Sequence, residues 1–212
     1  YETIQKIIKS EPSPSLDDLT LFAESALRTD RADMAVSIAQ NILKQSPHHA
    51  KALVLLGESF WQKGETVKAI QHMEAVVESI PEEADTWMTL ASIWQENGQS
   101  ERALDVLQKG AVAVPNHPGL LRDLGKLLME KQSPSDAITY LQKAYEIHNQ
   151  DPEGNFNLAR ASYQLGRYEQ AWSLLTPYLD HFEQDASIAK LLGHVMLAMD
   201  KDQEAKPILL FA

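Results

Sequence analysis

The seven histidines are the side chains best suited to chemistry in this sequence, because imidazole binds metals and exchanges protons near neutral pH. Two ligands share one helix face when they stand three or four residues apart. No pair of these histidines has that spacing, and the chain contains no cysteine. The sequence therefore predicts no metal site, no thiolate nucleophile and no disulfide.

The stretch from Gly119 to Leu127 superficially resembles a phosphate-binding loop. A true loop of that kind has four residues between its glycines and a serine or threonine after its lysine. Here five residues separate Gly119 from Gly125, and Leu127 follows Lys126. The sequence also lacks a nucleophile elbow, a dinucleotide fingerprint and a zinc-binding histidine-glutamate helix. These patterns predict a protein that is not an enzyme and needs no cofactor.

The composition is that of a folded, all-α protein: 44% of the 212 residues are hydrophobic and 23% are charged. Helix-forming residues dominate, and runs of alternating β-branched residues are missing. Thirty acidic residues against 19 basic ones give a net charge of −11, which would repel a phosphate backbone. No stretch approaches the roughly 20 apolar residues of a membrane span. We therefore expect neither a nucleic-acid partner nor a membrane span, in a chain suited equally to cytoplasm or periplasm.

A 34-residue repeat organises the chain. Shifting the sequence by one such period superimposes six alanines, namely Ala35, Ala69, Ala103, Ala137, Ala171 and Ala205. When each repeat is counted from Leu16 or its equivalent, these alanines occupy position 20. Position seven holds a large apolar residue: Phe22, Leu56, Leu90, Leu124, Leu158 and Leu192. Position eight is always small, alternating between alanine and glycine.

This pattern predicts a helix hairpin repeated six times. Small residues at positions eight and 20 let two helix backbones approach closely, and the large residue at seven fills the adjacent space. A turn is expected near position 15, which holds residue types that tolerate a positive φ angle. These residues are Asp30, Gly64, Gly98, Gly166 and Asp200. Prolines at position 32 separate the first three units from the next.

The second and third units carry the fullest signature. It reads Leu53-x-x-Leu56-Gly57-x-x-Phe60 with Gly64, Ala69 and Pro81, then Trp87-x-x-Leu90-Ala91-x-x-Trp94 with Gly98, Ala103 and Pro115. This signature resembles that of the tetratricopeptide repeat family. The resemblance implies a right-handed α-α superhelix, in which the repeats stack as one continuous solenoid. It assigns the repeats to residues 16–49, 50–83, 84–117, 118–151, 152–185 and 186–212, the last incomplete. Residues 1–15 are interpreted as the second helix of a preceding repeat or an amino-terminal helix, with a proline-rich turn.

In the resembled family, first-helix positions two, five, six, nine, 12 and 13 line a concave, partner-binding surface. The residues that this assigns most clearly to binding are Arg122, Lys126, Phe156, Asn157, Arg160, Tyr163, Lys190, His194, Trp61 and Glu58. The carboxy-terminal half of the lining is rich in cations and aromatic rings, whereas the amino-terminal half is acidic. The resemblance thus implies a groove for an acidic or carboxylate-terminated segment. Chaperone-tail binding is not expected, because Ser187 and Leu191 replace two bases of the family's carboxylate clamp.

The function predicted from these observations is a non-enzymatic scaffold that binds a protein or peptide, as part of a larger protein or assembly. Two alternatives remain open at this point. The chain could be the substrate-recruiting arm of a larger enzyme such as a glycosyltransferase or sulfotransferase, since both ends read as cut. It could also be a structural scaffold of a secretion or exopolysaccharide-export assembly. The apolar residues Leu209, Leu210 and Phe211 further suggest end-to-end self-association.

Overall fold

The computed structural model describes residues 14–177 and 185–211, and all regular secondary structure in these ranges is helical. Twelve α-helices follow one another there, each separated by a short turn from its hairpin partner. Their bounds are α1 Leu16–Arg28, α2 Ala32–Gln45, α3 Ala50–Gln62, α4 Thr66–Ser79, α5 Ala84–Glu96, α6 Ser100–Ala113, α7 Pro118–Glu130, α8 Pro134–Ile147, α9 Pro152–Gln164, α10 Tyr168–Leu175, α11 Ala186–Ala198 and α12 Asp202–Phe211. The predicted helix ahead of the first repeat lies outside the described residues.

Odd-numbered helices are the first helices of the predicted repeats, and even-numbered helices are the second. The chain forms two compact units, Tyr1–Val114 with α1 to α6 and Pro115–Ala212 with α7 to α12. Within each unit, every first helix packs against its own second helix, and every second helix packs against the following first helix. Successive first helices also touch one another. This consecutive packing is that of an all-α repeat fold, as predicted.

The alanine at position 20 is fully buried in every hairpin. All six alanines have an exposed fraction of 0%. The glycines at position eight face the side chain at position 24 of the second helix, which leaves little room for a Cβ atom. A Cβ atom added to Gly57 would stand 2.5 Å from Cε of Met73, and one added to Gly125 would stand 2.5 Å from Cγ of Leu141. The prediction that small residues line the hairpin contact is confirmed.

The turn between the two helices of a hairpin places position 15 in the left-handed region. Residues Asp30, Gly64, Gly98, Gly166 and Asp200 have φ angles of 57°, 73°, 71°, 73° and 59°. The prediction made from their residue types is therefore confirmed. Gln132 occupies the same place in the fourth repeat with a φ angle of 58°. The sequence did not reveal it, because glutamine has no special preference for this conformation.

Two of the seven histidines are the N-caps of first helices. Nδ1 of His49 accepts a hydrogen bond from the amide of Ala52, and Nδ1 of His117 accepts one from Leu120, each at 3.2 Å. Ser15 caps α1 in the same way, through a reciprocal capping box with an aspartate. These two histidines thus satisfy amide groups at helix starts, a structural role.

Phe22 departs from the expected packing. The position-seven leucines of the other repeats are at most 8% exposed, whereas Phe22 is 42% exposed. In later repeats of each unit, the second helix of the preceding repeat packs against the first helix. No described helix precedes α1, so nothing in the described ranges covers this side of it. The expectation that Phe22 fills the hairpin core is wrong.

Candidate partner-binding site

The first helices of neighbouring repeats are linked by side chains at positions nine and two. Glu24 of α1 pairs with Lys51 of α3 at 2.5 Å, and Lys126 of α7 pairs with Glu153 of α9 at 2.5 Å. In both cases position nine of one repeat meets position two of the next, at the same 27-residue spacing. We call the surface formed by the first helices of a unit the first-helix face, and each position-nine to position-two contact a rung.

Arg122 strengthens the Lys126–Glu153 rung with further ion pairs. Its Nη1 lies 3.1 Å from Oδ2 of Asp151, and its Nη2 lies 2.8 Å from Oδ1 of Asp123. Burial of the guanidinium disfavours its charge, but the two carboxylates outweigh this effect and raise the pKa of Arg122. Burial also raises the pKa of Asp123, although the positive charge of Arg122 partly opposes that shift. Arg122 and Lys126 are therefore already held by carboxylates of their own unit.

These carboxylates are what reasoning from the sequence missed. The sequence showed a cationic carboxy-terminal half, because residues were assigned to the face one position at a time. Asp151 caps α9 from the end of the fourth repeat, and Glu153 occupies position two of the fifth. The 27-residue spacing between Lys126 and Glu153, repeated between Glu24 and Lys51, is the signal that could have revealed the pairing.

The rung between the second and third repeats has two acidic members. Glu58 stands at position nine and Asp85 at position two, and both line a cleft of about 360 Å³. Val54 and Met88 contribute apolar lining to the cleft, and the hydroxyl of Thr89 donates to Oε1 of Glu58 at 3.3 Å. Burial, followed by the charges of Asp85 and a neighbouring glutamate, raises the pKa of Glu58. Lys51 also lines the cleft but pairs with Glu24, so neither acidic member of this rung has an ion pair of its own among the described residues.

The rung between the fifth and sixth repeats has only one charged member. Arg160 stands at position nine of α9, and Ser187 stands at position two of α11. Arg160 is half-buried, and its Nε is buried without a hydrogen-bond partner. Within the described part of the chain, it forms no ion pair. Lys190, one helical turn beyond Ser187, is exposed and likewise has no acidic partner in that part of the chain. Arg160 in this rung and Lys190 beside it are therefore two cations without an ion pair in the described ranges.

Aromatic rings border the Arg160 rung. The ring of Tyr163 on α9 lies 6.3 Å from that of His194 on α11 and 5.8 Å from that of Tyr168 on α10. These contacts are within the range of tilted aromatic pairs. The structure thus brings together Tyr163 and His194 from the predicted site, on the same two helices that carry Arg160 and Lys190.

The remaining predicted residues are less accessible or lie elsewhere. Asn157 is only 4% exposed, and its Nδ2 donates to the carbonyl oxygen of Glu153 at 3.0 Å. Phe156 is half-buried on α9. Trp61 is half-buried on α3, in the other unit. Buried polar groups that are bound to backbone have little capacity for a ligand, so Asn157 is the weakest member of the predicted set.

The repeat pattern agrees with known protein families. Tetratricopeptide repeat models match residues 20–84, 88–152 and 128–195. The chain belongs to the tetratricopeptide repeat (TPR) family. No similar sequence was found among curated proteins.

Solved TPR structures resemble this chain in fold. Pseudomonas aeruginosa pilF matches with a TM-score of 0.75 at 17% identity, over 92% of this chain and 89% of that one. YrrB, described as a TPR protein with an unusual peptide-binding site, matches with a TM-score of 0.68 at 17% identity, over 82% and 89%. A thermophilic TPR protein from Thermus thermophilus matches with a TM-score of 0.60 at 19% identity, over 86% and 100%. At these identities the likeness concerns the TPR fold alone.

No helix in the described ranges combines the length and hydrophobicity needed to cross a bilayer. No group of three or more histidine, aspartate or glutamate side chains there is arranged around a common metal position.

Proposed function

We propose that this TPR protein is a non-enzymatic scaffold that binds an acidic or carboxylate-terminated segment of a partner on the first-helix face of its carboxy-terminal unit. The observation that carries the proposal is the open rung at Arg160, whose guanidinium has no acidic partner in the described chain. A carboxylate from a partner would fill the place that Glu153 fills for Lys126. Charge-assisted hydrogen bonds of this kind are stronger than neutral ones.

Lys190, His194 and Tyr163 support the same assignment. Lys190 is exposed on the neighbouring helix, and the two rings lie against each other beside it. A segment with a carboxylate near Arg160 would thus find a second cation and an aromatic surface close by. YrrB, a protein of the same fold, carries a peptide-binding site, so a fold of this kind can hold a peptide. In this proposal, Arg122 and Lys126 contribute mainly to the structure of the face.

The proposal is tested with fluorescent hexapeptides of one acidic sequence, ending either in a free carboxylate or in an amide. We expect Arg160→Gln with Lys190→Gln to abolish measurable binding of the carboxylate form. The matched control is Lys143→Gln with Lys206→Gln, which removes the same charge from exposed second-helix positions of this unit. Equal binding by the site variant and the control, with both variants folded, would contradict the proposed site.

A second experiment identifies the natural ligand. The wild-type chain and the Arg160→Gln, Lys190→Gln variant are used to capture proteins from native lysate, followed by mass spectrometry. A partner held by the wild type and by the second-helix control, but lost by the site variant, would be the expected result. A partner retained by all three proteins would place binding outside the open rung.

Trp61 and Glu58 remain predicted contacts in the amino-terminal unit, beside the acidic rung. End-to-end self-association also remains a prediction, and the 87% exposure of Leu210 provides an apolar contact for it. Light scattering of the wild type and Leu210→Glu tests this point, because a monomer at all concentrations in both would argue against self-association.

A further inference from the structure

A groove on the opposite side of the amino-terminal unit, between its second helices, has the composition of a second binding surface. Helices α4 and α6 form its walls, and both pack against α5, which forms its floor. The groove has a volume of about 500 Å³. Its floor consists of Trp87, Leu90 and Trp94, which lie on three successive turns of α5. The groove therefore presents aromatic rings at the base of a polar channel.

One of the two tryptophans already binds a cation of the chain itself. The guanidinium carbon of Arg102 lies 4.6 Å from the centre of the Trp94 ring, in the geometry of a cation–π contact. Trp87 has no such cation in the described ranges. Its Nε1 donates to the carbonyl oxygen of Pro81 at 2.8 Å, so the polar edge of the indole is satisfied internally. Trp87 and Trp94 are 8% and 7% exposed, so each ring contributes a small surface to the groove floor, and in the described ranges only the Trp94 ring carries a cation.

The charges on the groove walls specify the occupant. On α6, Lys109 pairs with Asp105 at 2.6 Å. On α4, Glu74 and Glu78 are exposed, stand one turn apart and have no ion pair within the described residues. The groove lining has three acidic side chains (Glu74, Glu78 and Asp105) against two basic ones (Arg102 and Lys109), so its net charge is −1. A cation from outside would meet both an aromatic ring and two carboxylates.

We propose that this groove binds an arginine-bearing segment of a protein partner, with its guanidinium on Trp87 and its charge balanced by Glu74 and Glu78. Arginine suits the position better than lysine, because a planar guanidinium can stack on a ring and form paired hydrogen bonds with a carboxylate. Val77 and Val106 line the same groove and would contact an apolar neighbour of the arginine. The walls of this groove are second helices and its floor is α5, so it shares no residue with the open rung at Arg160.

The test is a titration of the whole chain with the peptide acetyl-Leu-Arg-Leu-amide, followed by the NMR signals of the four tryptophan indole N–H groups. Trp61→Phe, Trp87→Phe and Trp94→Phe variants assign three of the signals. We expect the Trp87 signal to shift on titration. The uncharged, isosteric citrulline peptide should bind with an affinity lower by about tenfold or more, because it keeps the shape but loses the cation.

Substitutions of the acidic wall residues distinguish a direct contact with the peptide from an effect of the protein's overall charge. Glu74→Gln with Glu78→Gln should weaken binding of the arginine peptide about fivefold or more. Glu169→Gln with Asp202→Asn, which changes the charge equally on second helices of the other unit, should leave it unchanged. Arg102→Ala should uncover the Trp94 ring, so that the peptide then shifts the Trp94 signal as well.

Three results would overturn the proposal. The first is an equal response to the arginine and citrulline peptides, and the second is unchanged affinity in the Glu74, Glu78 variant. The third is a shift of the Trp61 signal without a shift of the Trp87 signal, which would place the peptide on the first-helix face.

Discussion

Replacing Ser187 by glutamate should close the open rung, because the new carboxylate would stand at the 27-residue spacing from Arg160. Glu153 has that spacing from Lys126, and Lys51 has it from Glu24. The variant should therefore gain an internal ion pair and lose binding of a carboxylate-terminated peptide, although Arg160 itself is unchanged. A substitution that raises stability while removing binding is a combination that general damage to the fold cannot produce.

The expected magnitude follows from the rung that already exists. The side chains of Lys126 and Glu153 are 44% and 46% exposed, and half-exposed pairs of this kind contribute about 0.2–1 kcal/mol. The Nε of Arg160 is buried and has no hydrogen-bond partner, so its pair with a glutamate should reach about 1 kcal/mol, the upper end of that range. Position 187 also lies in the first turn of α11, where a carboxylate gains about 0.3–1 kcal/mol from the helix dipole.

A double-mutant cycle separates these two contributions. The free energy of unfolding is measured by urea denaturation for the wild type, Ser187→Glu, Arg160→Met and the double variant. The helix-dipole contribution does not require Arg160 and cancels in the cycle, which leaves a coupling energy of about 1 kcal/mol. A cycle of Lys126→Met and Glu153→Gln serves as the reference. Coupling near zero at the new rung, with normal coupling at the reference rung, would refute the pairing of positions nine and two.

Three further predictions concern packing and charge. Gly125→Ala should destabilise by about 1–3 kcal/mol because the branched Leu141 is buried against it, whereas Gly57→Ala, which faces a flexible methionine, should cost less. Urea denaturation measures both losses in free energy of unfolding, and equal losses in the two variants would contradict this explanation. Ala103→Leu should also overpack its hairpin by about 1–3 kcal/mol, and an unchanged melting temperature would contradict the assigned helix contact. Glu58→Gln should stabilise at neutral pH, because burial raises the pKa of Glu58 above its ordinary 4.5. The stability that the protonated carboxyl contributes is fully present below pH 4.5 and lost as the pH rises through the folded-state value, so the advantage of the variant should shrink on acidification.

The location of the binding chemistry depends on contacts that cross from one repeat to the next. Arg122 and Lys126 have the residue types of ligand contacts, but the fold places carboxylates beside both of them. Arg160 has the same charge and the same repeat position as Lys126, yet position two of the following repeat is a serine. Availability of a surface cation is thus decided by its neighbour in space, which a residue-by-residue assignment does not consider.

The helix hairpins and their register follow directly from the repeat pattern of the sequence. Small residues at positions eight and 20 recur in every repeat because backbone contact within a hairpin leaves no room for a larger side chain. Positive φ angles at position 15 likewise restrict the residue type, and they were predicted correctly wherever glycine or aspartate marked them. Constraints of this kind act over short distances along the chain, so they restrict the residue type at fixed repeat positions and can be recognised in the sequence.

Contacts between repeats set the exposure of Phe22 and the pairing of Arg122 with carboxylates of its own unit. They also leave Arg160 without an acidic partner in the described ranges. The tertiary structure also showed that Trp87 and Trp94, although buried as their core positions predict, form the floor of an open groove. Each of these properties depends on which helix covers a residue or which charge lies across from it. Such neighbours are separated by many residues in the chain, and several residue types satisfy the same backbone geometry there. Exposure and charge balance are therefore settled by three-dimensional packing, because local preference constrains the backbone but not the partner of each side chain.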